Sequence, residues 1–217
     1  ENPTLAVAGT HGKTTTTALL AHLLDGCPGR CNAFLGGIAA GVNSNLYLHP
    51  SAAWNIVEAD EFDRSFLHLH PQHAVITSLD PDHLDVYGDE KSFQDAFHVF
   101  AHQVEHGCLI HADVDWNDPS AERYGIVSNR EEAEDLTYAA IHPEIIQGVW
   151  TADVKLEGHW MFGVQFPMPG WHNVANALAA LALAYKSGAP LDICRERLFT
   201  FEGIHRRFSY QIRNEAG

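Results

Sequence analysis

The stretch Thr4-Leu5-Ala6-Val7-Ala8-Gly9-Thr10-His11-Gly12-Lys13-Thr14-Thr15-Thr16-Thr17-Ala18-Leu19-Leu20 decides the fold. A short apolar run over residues 4–8 ends in Gly9, and an Ala-, Leu- and Thr-rich stretch with helical spacing follows over residues 14–24. Strand, glycine turn and helix form the context that a phosphate-binding loop requires. The glycines let main-chain amides turn inward, and the helix presents free N–H groups at the positive end of its dipole. Lys13 can reach the β and γ phosphates of a nucleotide, and the Thr14 hydroxyl can ligate magnesium. The longer form of the motif has a further glycine five places before Gly12, where this chain has Val7. Residues 9–15 are thus the short form. The plain alternative is a glycine turn that happens to precede a helix.

Outward from this stretch, apolar runs alternate with helical ones, which predicts an α/β fold: a mostly parallel sheet flanked by helices. Strands are expected at residues 53–57, 73–77 and 108–111, after the first at 4–8. Between the last two, residues 90–106 carry Phe93, Phe97, Phe100 and Val104 on one helical face. Short alternating segments at 136–141, 148–154 and 159–166 predict antiparallel strands in a smaller sheet. Helices are expected over 173–185 and 192–199, and a last strand over 208–212.

A chain of 217 residues suffices for one large α/β domain with its own core. Its 46% hydrophobic and 19% charged residues suit a folded domain and exclude a disordered one. No stretch approaches the ~20 apolar residues of a membrane span. No charged-then-apolar leader precedes the first strand, so a cytoplasmic location is expected. The net charge of −15, from 13 basic and 28 acidic residues, argues against nucleic-acid binding. A polyanion such as ATP would have to be held locally, by amides, a lysine and metal ions. Cys27 and Cys31 have the spacing of half a metal site, but Cys108 and Cys194 stand apart, so ordinary reduced thiols are expected.

Two strand ends carry candidate chemistry. Trp54-Asn55-Ile56-Val57 runs directly into Glu58-Ala59-Asp60-Glu61-Phe62-Asp63-Arg64-Ser65-Phe66-Leu67. A phosphate-loop enzyme needs a metal-holding carboxylate at such a strand end, whereas a charged loop after a strand is the simpler reading. The strand ending at Thr77 leads to Asp80-Pro81-Asp82-His83-Leu84-Asp85, on the crevice side where open α/β sheets bind ligands. A histidine near a turn is commonly a surface or packing residue. Downstream, Pro169-Gly170-Trp171-His172-Asn173-Val174-Ala175-Asn176 opens a helix, with Asn173 and Asn176 on one face. Asn173 has helix capping as its alternative role. Gly203-Ile204-His205-Arg206-Arg207-Phe208 sets paired arginines before a strand, suited to phosphate oxygens or simply exposed.

These five segments, in this order, resemble the Mur ligase family, whose members activate a carboxylate with ATP and couple it to an amine. The resemblance covers nearly the whole chain. It implies that Gly9, Thr10, His11, Gly12, Lys13, Thr14 and Thr15 hold ATP, and that Glu58 joins Thr14 in binding Mg2+. It places His83 near a second magnesium ion, and it sets His172 and Asn173, with Asn176, on the adenine side. Arg206 or Arg207 is expected to touch ATP, and Lys13, Glu58 and His83 are the expected catalytic residues. Trp171 departs from the pattern, standing where a basic residue is frequent.

Several members of the family carry a carbamate-modified lysine on the helix after the Pro-Asp-His turn. The position in register here is Phe97. That departure points to the branch that joins L-alanine to UDP-N-acetylmuramate, or to the related murein-peptide-recycling ligase. The immediate passage from Phe66-Leu67-His68-Leu69 to Pro71 favours the former. The implied partners are UDP-N-acetylmuramate and L-alanine, with no nucleic acid and no membrane. Residues 1–217 are expected to be the central ATP-binding domain of a longer protein, without its UDP-binding and C-terminal domains. Alone, this segment should bind nucleotide weakly and not ligate. A folate- or cyanophycin-type ligase and a non-catalytic nucleotide-binding module are the rival readings.

Overall fold

The structure, a computed structural model, describes residues 2–28, 30–39, 44–80, 84–166 and 168–204. Among them ten strands join one sheet. In chain order these are β1 (Thr4–Ala8), β2 (Cys31–Ala39), β3 (Ser44–Tyr47), β4 (Trp54–Glu58), β5 (His73–Ile76), β6 (Cys108–His111), β7 (Glu122–Val127), β8 (Tyr138–Ile146), β9 (Val149–Leu156) and β10 (His159–Phe166). Across the sheet they run β10-β9-β8-β7-β6-β5-β1-β4-β2-β3. The helices are α1 (Lys13–Asp25), α2 (Leu84–Tyr87), α3 (Glu90–His102), α4 (Trp171–Lys186) and α5 (Leu191–Phe199).

β1 lies between β4 and β5, parallel to both. Its alternate residues feed two cores, as a strand covered on both faces must. Leu5 and Val7 join Leu19, Leu20, Leu23 and Leu178 on the face covered by α1 and α4. Ala6 and Ala8 face Phe93, Phe97 and Phe100 on the side of α3. Each fully buried Leu or Phe contributes about 1.5–3 kcal/mol of transfer free energy, so both faces hold β1 firmly. Phe97 is fully buried, with its ring 5.1 Å from that of Phe66. It is part of the packing beneath the sheet.

The aromatic face of α3 follows the sequence expectation, but the helix stops at His102 instead of residue 106. The amides of Glu105 and His106 donate to Pro71 O and Gln72 O, both at 2.9 Å, so the chain leaves the helix to pair with the loop before β5. At its other end Asp89 caps α3, accepting from the Ser92 amide at 2.7 Å, which contributes about 1 kcal/mol. The expected antiparallel strands are present, but they extend the main sheet. β7 pairs parallel with both β6 and β8, and the antiparallel pairs β8–β9 and β9–β10 continue from there. β7 escaped the sequence reading because Glu122, Arg123 and Gly125 break its apolar run. β2 and β3 escaped it as well. The strand expected at 208–212 lies outside the described residues.

All four cysteines are free and buried. Burial pushes the Cys31 and Cys194 thiols up to about 12, so they pack as small apolar groups. No helix among the described residues is long and apolar enough to cross a membrane.

Candidate active site

The site grows from the carboxyl edge of β1. Gly9 (φ 122°) and Gly12 (φ 83°) both adopt left-handed conformations, which turn the chain from β1 into α1. Neither has room for a side chain. A Cβ on Gly9 would stand 2.3 Å from Thr77 Oγ1, and one on Gly12 would stand 2.4 Å from Asn176 Oδ1. No side chain caps α1, so its first amides remain available to an anion.

The neighbours of β1 in the sheet determine what surrounds this loop. On the β5 side, Thr77 Oγ1 donates toward Ala8 O and His11 O. Ser78 Oγ accepts the His11 amide and meets Thr10 Oγ1, both at 2.9 Å, while Ser78 O accepts the Thr10 amide at 3.1 Å. Asp80 N–H donates to Thr10 Oγ1 at 3.1 Å. The loop is therefore strapped to the exit of β5 by bonds within the chain. His11 and Asp80 also approach to 3.6 Å, but both are exposed, so this pair contributes little.

On the β4 side, Glu58 accepts the Thr14 hydroxyl at 2.9 Å and the Gly36 amide at 2.8 Å. Lys13 donates to Gly9 O at 2.7 Å and forms an ion pair with Glu61. Lys13, Thr14, Glu58 and Glu61 line one cleft of about 580 Å³. Lys13 and Glu58 thus face the same side of the sheet. Thr14 and Glu58 offer hard oxygen donors of the kind magnesium takes, and magnesium commonly completes its shell from phosphate oxygens and water. That suits this place, since among the described residues no three His, Cys, Asp or Glu side chains converge as a ready-made metal cage.

A second cavity of about 970 Å³ opens on the other side of His11 and Gly12. His111, Tyr124, His172, Asn173 and Asn176 are among its walls. The two asparagines differ in availability. Asn173 is buried and donates from Nδ2 to Pro169 O at 2.7 Å. It does not cap α4, because the cap position is Gly170. Asn176 sits over Gly12 and makes no side-chain hydrogen bond among the described residues, so its amide is the freer one for a ligand. His172 and Trp171 lie exposed at the rim, with Trp171 edge-on to Trp150 at 5.5 Å.

Among the residues lining the two cavities, His111, Tyr124 and Glu61 were given no role from sequence. The ring of His111 meets Tyr124 edge-on at 5.0 Å, and burial lowers its pKa, favouring the neutral ring. Both residues end up at a ligand-sized cavity because β6 ends at His111, which pairs with Tyr124 within β7, and an apolar run does not reveal that pairing. Glu61 is the third. The acidic run had included it, but its neighbour Asp60 is exposed while Glu61 is buried. His83, Arg206 and Arg207 lie outside the described residues.

Comparison with known proteins agrees with this fold. The family described as the Mur ligase middle domain matches residues 7–184. A UDP-N-acetylmuramate–L-alanine ligase of Flavobacterium johnsoniae is 42% identical over 210 residues, 97% of this chain and 45% of that protein. The solved UDP-N-acetylmuramate–alanine ligase of Thermotoga maritima superposes with a TM-score of 0.83 at 29% identity, covering 99% of this chain and 48% of that one. A UDP-N-acetylmuramate:L-alanyl-γ-D-glutamyl-meso-diaminopimelate ligase from Neisseria superposes with 0.75 at 27% identity, over 94% of this chain and 68% of that one. The chain spans about half the length of the curated relatives it matches.

Proposed function

The chain belongs to the Mur ligase middle-domain family, and on that premise we propose that it is the ATP-binding central part of a ligase joining L-alanine to UDP-N-acetylmuramate. The observation that carries this reading is the shared cleft. The phosphate-loop Lys13 stands there beside the Thr14 hydroxyl, which bonds the Glu58 carboxylate at 2.9 Å.

In the proposed reaction the amides of residues 9–15 and the Lys13 ammonium receive the triphosphate. Asn176, with His172 and Asn173, faces the base from the larger cavity. A carboxylate oxygen of the sugar substrate attacks the γ-phosphorus, the bond to ADP breaks, and an acyl phosphate results. The amine of the amino acid then adds to the acyl carbon, and phosphate leaves as the amide forms and the nitrogen loses a proton. Lys13 neutralises charge on the transferring group, and the loop fixes the line of attack. Thr14 and Glu58 would hold magnesium, which supplies positive charge to the phosphates. His83 and one of Arg206 and Arg207 belong to the same proposal on the strength of their motifs.

The alanine-adding reading is supported by the named relatives at about 42% identity and by Phe97, which packs in the core where other branches carry a modified lysine. The recycling ligase stays a second reading because one solved relative of that type shares the fold at a TM-score of 0.75. Phosphate release by the complete polypeptide separates the two. Release should require both UDP-N-acetylmuramate and L-alanine. Release with the L-Ala-D-Glu-diaminopimelate tripeptide in place of alanine would move the assignment to the recycling type. Mg-ATP binding without turnover on any of these substrates would favour a non-catalytic module.

A further inference from the structure

The Lys13 ammonium is fully engaged by groups of the chain itself. It donates to Gly9 O at 2.7 Å and to the two Glu61 carboxylate oxygens at 3.0 and 2.7 Å. An ammonium has three protons, so none is left over. The pair is enclosed, with the Lys13 side chain 12% and the Glu61 side chain 2% exposed. Glu61 is fixed from behind as well: its main-chain carbonyl accepts the Tyr87 hydroxyl at 2.6 Å and the Arg64 amide at 3.2 Å. Tyr87 in turn sits edge-on against Phe93 of the α3 core. The position of the carboxylate is therefore set by packing and not by solvent.

A lysine that is to bind phosphate must give up one of these partners. Gly9 O belongs to the loop itself and travels with it. The Glu61 carboxylate comes from the β4 exit, and it offers what a β,γ-phosphate pair offers, two anionic oxygens for two donor directions. We propose that Glu61 is a positioning residue that holds Lys13 in place of the phosphates and is exchanged for them when nucleotide binds. This rests on the phosphate-loop reading above. The exchange keeps the lysine aligned between turnovers, and it sets a cost on each binding event, because a charge-assisted bond is broken first.

Glu61→Gln should therefore act with opposite signs on folding and on binding: a less stable fold, yet tighter nucleotide. A residue with only a packing role would weaken both. Calorimetric titration of the complete polypeptide with magnesium and the β,γ-imido analogue of ATP reads this directly. The expected result is roughly tenfold tighter binding by Glu61→Gln, with the gain absent in a Lys13→Met background. Unchanged or weaker binding by Glu61→Gln overturns the inference while the phosphate-loop reading stands. Absence of binding by the unaltered complete polypeptide overturns that reading and the inference with it. Should Glu61→Gln not fold, NMR of the unaltered chain decides: the Lys13 ammonium and Glu61 carboxyl resonances should both shift as the analogue is added. A Glu61 carboxyl signal that stays in place while Lys13 moves overturns the exchange.

Discussion

Gly9→Ala tests the architecture of the loop most directly, because three separable costs can be read at that position. The residue sits at φ 122°, a conformation that costs an L side chain about 1–2 kcal/mol. Its new Cβ would lie 2.9 Å from both the amide and the carbonyl of Ser78, which are main chain and move only with the β5 exit. Such overpacking costs about 1–3 kcal/mol. The Cβ would also stand 2.3 Å from Thr77 Oγ1, driving that hydroxyl from Ala8 O and His11 O and costing about 1 kcal/mol more. Together they predict a loss of about 3–6 kcal/mol, a fall in Tm of roughly 6–24 °C for a chain of this size. Urea and thermal denaturation followed by circular dichroism measure it, and nucleotide binding should disappear with the loop geometry. The hydroxyl cost can be isolated: Gly9→Ala/Thr77→Ala should be about 1 kcal/mol more stable than the sum of the two single changes predicts. A Gly9→Ala chain within 1 kcal/mol of the original would refute the reasoning, as would strict additivity with Thr77→Ala.

Lys13→Met strands the buried Glu61 carboxylate, so it should cost about 3–5 kcal/mol of stability, and adding Glu61→Gln should recover most of it; equal urea midpoints for Lys13→Met and the parent chain would contradict the burial of the pair. Chelating magnesium should weaken ATP binding by at least about a hundredfold (about 2.7 kcal/mol), because Glu58, Asp60 and Glu61 face the cleft with Lys13 as their sole lysine neighbour; a titration in EDTA that matches one in magnesium would count against the metal role of Thr14 and Glu58. Far from the site, Lys186 bonds Glu122 and Glu157 at 2.7 Å each. Burial raises the Glu157 pKa, but the bonds from Lys186 and Tyr138 outweigh it, leaving the net value below the ordinary 4.5. Its stabilising contribution is thus complete above pH 4.5 and is lost as pH falls through the lowered folded value, so Lys186→Met should flatten the acid limb of a stability profile; an unchanged limb would show that the pair is not linked to folding.

What the sequence disclosed depended on how local the determining physics was. Lys13 and Thr14 were legible because a strand, a glycine turn and a helix lie within one short stretch, and the structure brings both to the cleft. Glu58 was legible because an apolar strand runs straight into acids. Glu61 differs from Asp60 only in what covers it, and the cover includes Tyr87, far along the chain on another helix. No local pattern distinguishes the two carboxylates. The helix carrying Asn173 and Asn176 was plain from its Ala-rich run, but which amide is spent on Pro169 depends on the turn before it. β7 was hidden by its polar start, and with it the continuity of the sheet and the placement of Tyr124 beside His111.

The acidity of the chain and its proposed ligand pull in opposite directions, and the fold resolves this by local arrangement. A net charge of −15 would repel a triphosphate from most of the surface. At the loop, however, the attraction comes from groups that net charge does not count: the uncapped amides of α1 and the inward turn at Gly9 and Gly12. The one lysine in the loop is not left to solvent, where it would pair at random in so acidic a chain. It is held by a carboxylate whose own position is fixed through Tyr87 and the aromatic core of α3. The acids that make the cleft hostile to a bare anion are also the donors that suit a divalent cation. On the proposed function, selectivity for the metal–nucleotide complex over free nucleotide would follow from the same residues that make the chain acidic, and it would be lost if the cleft were simply made more basic.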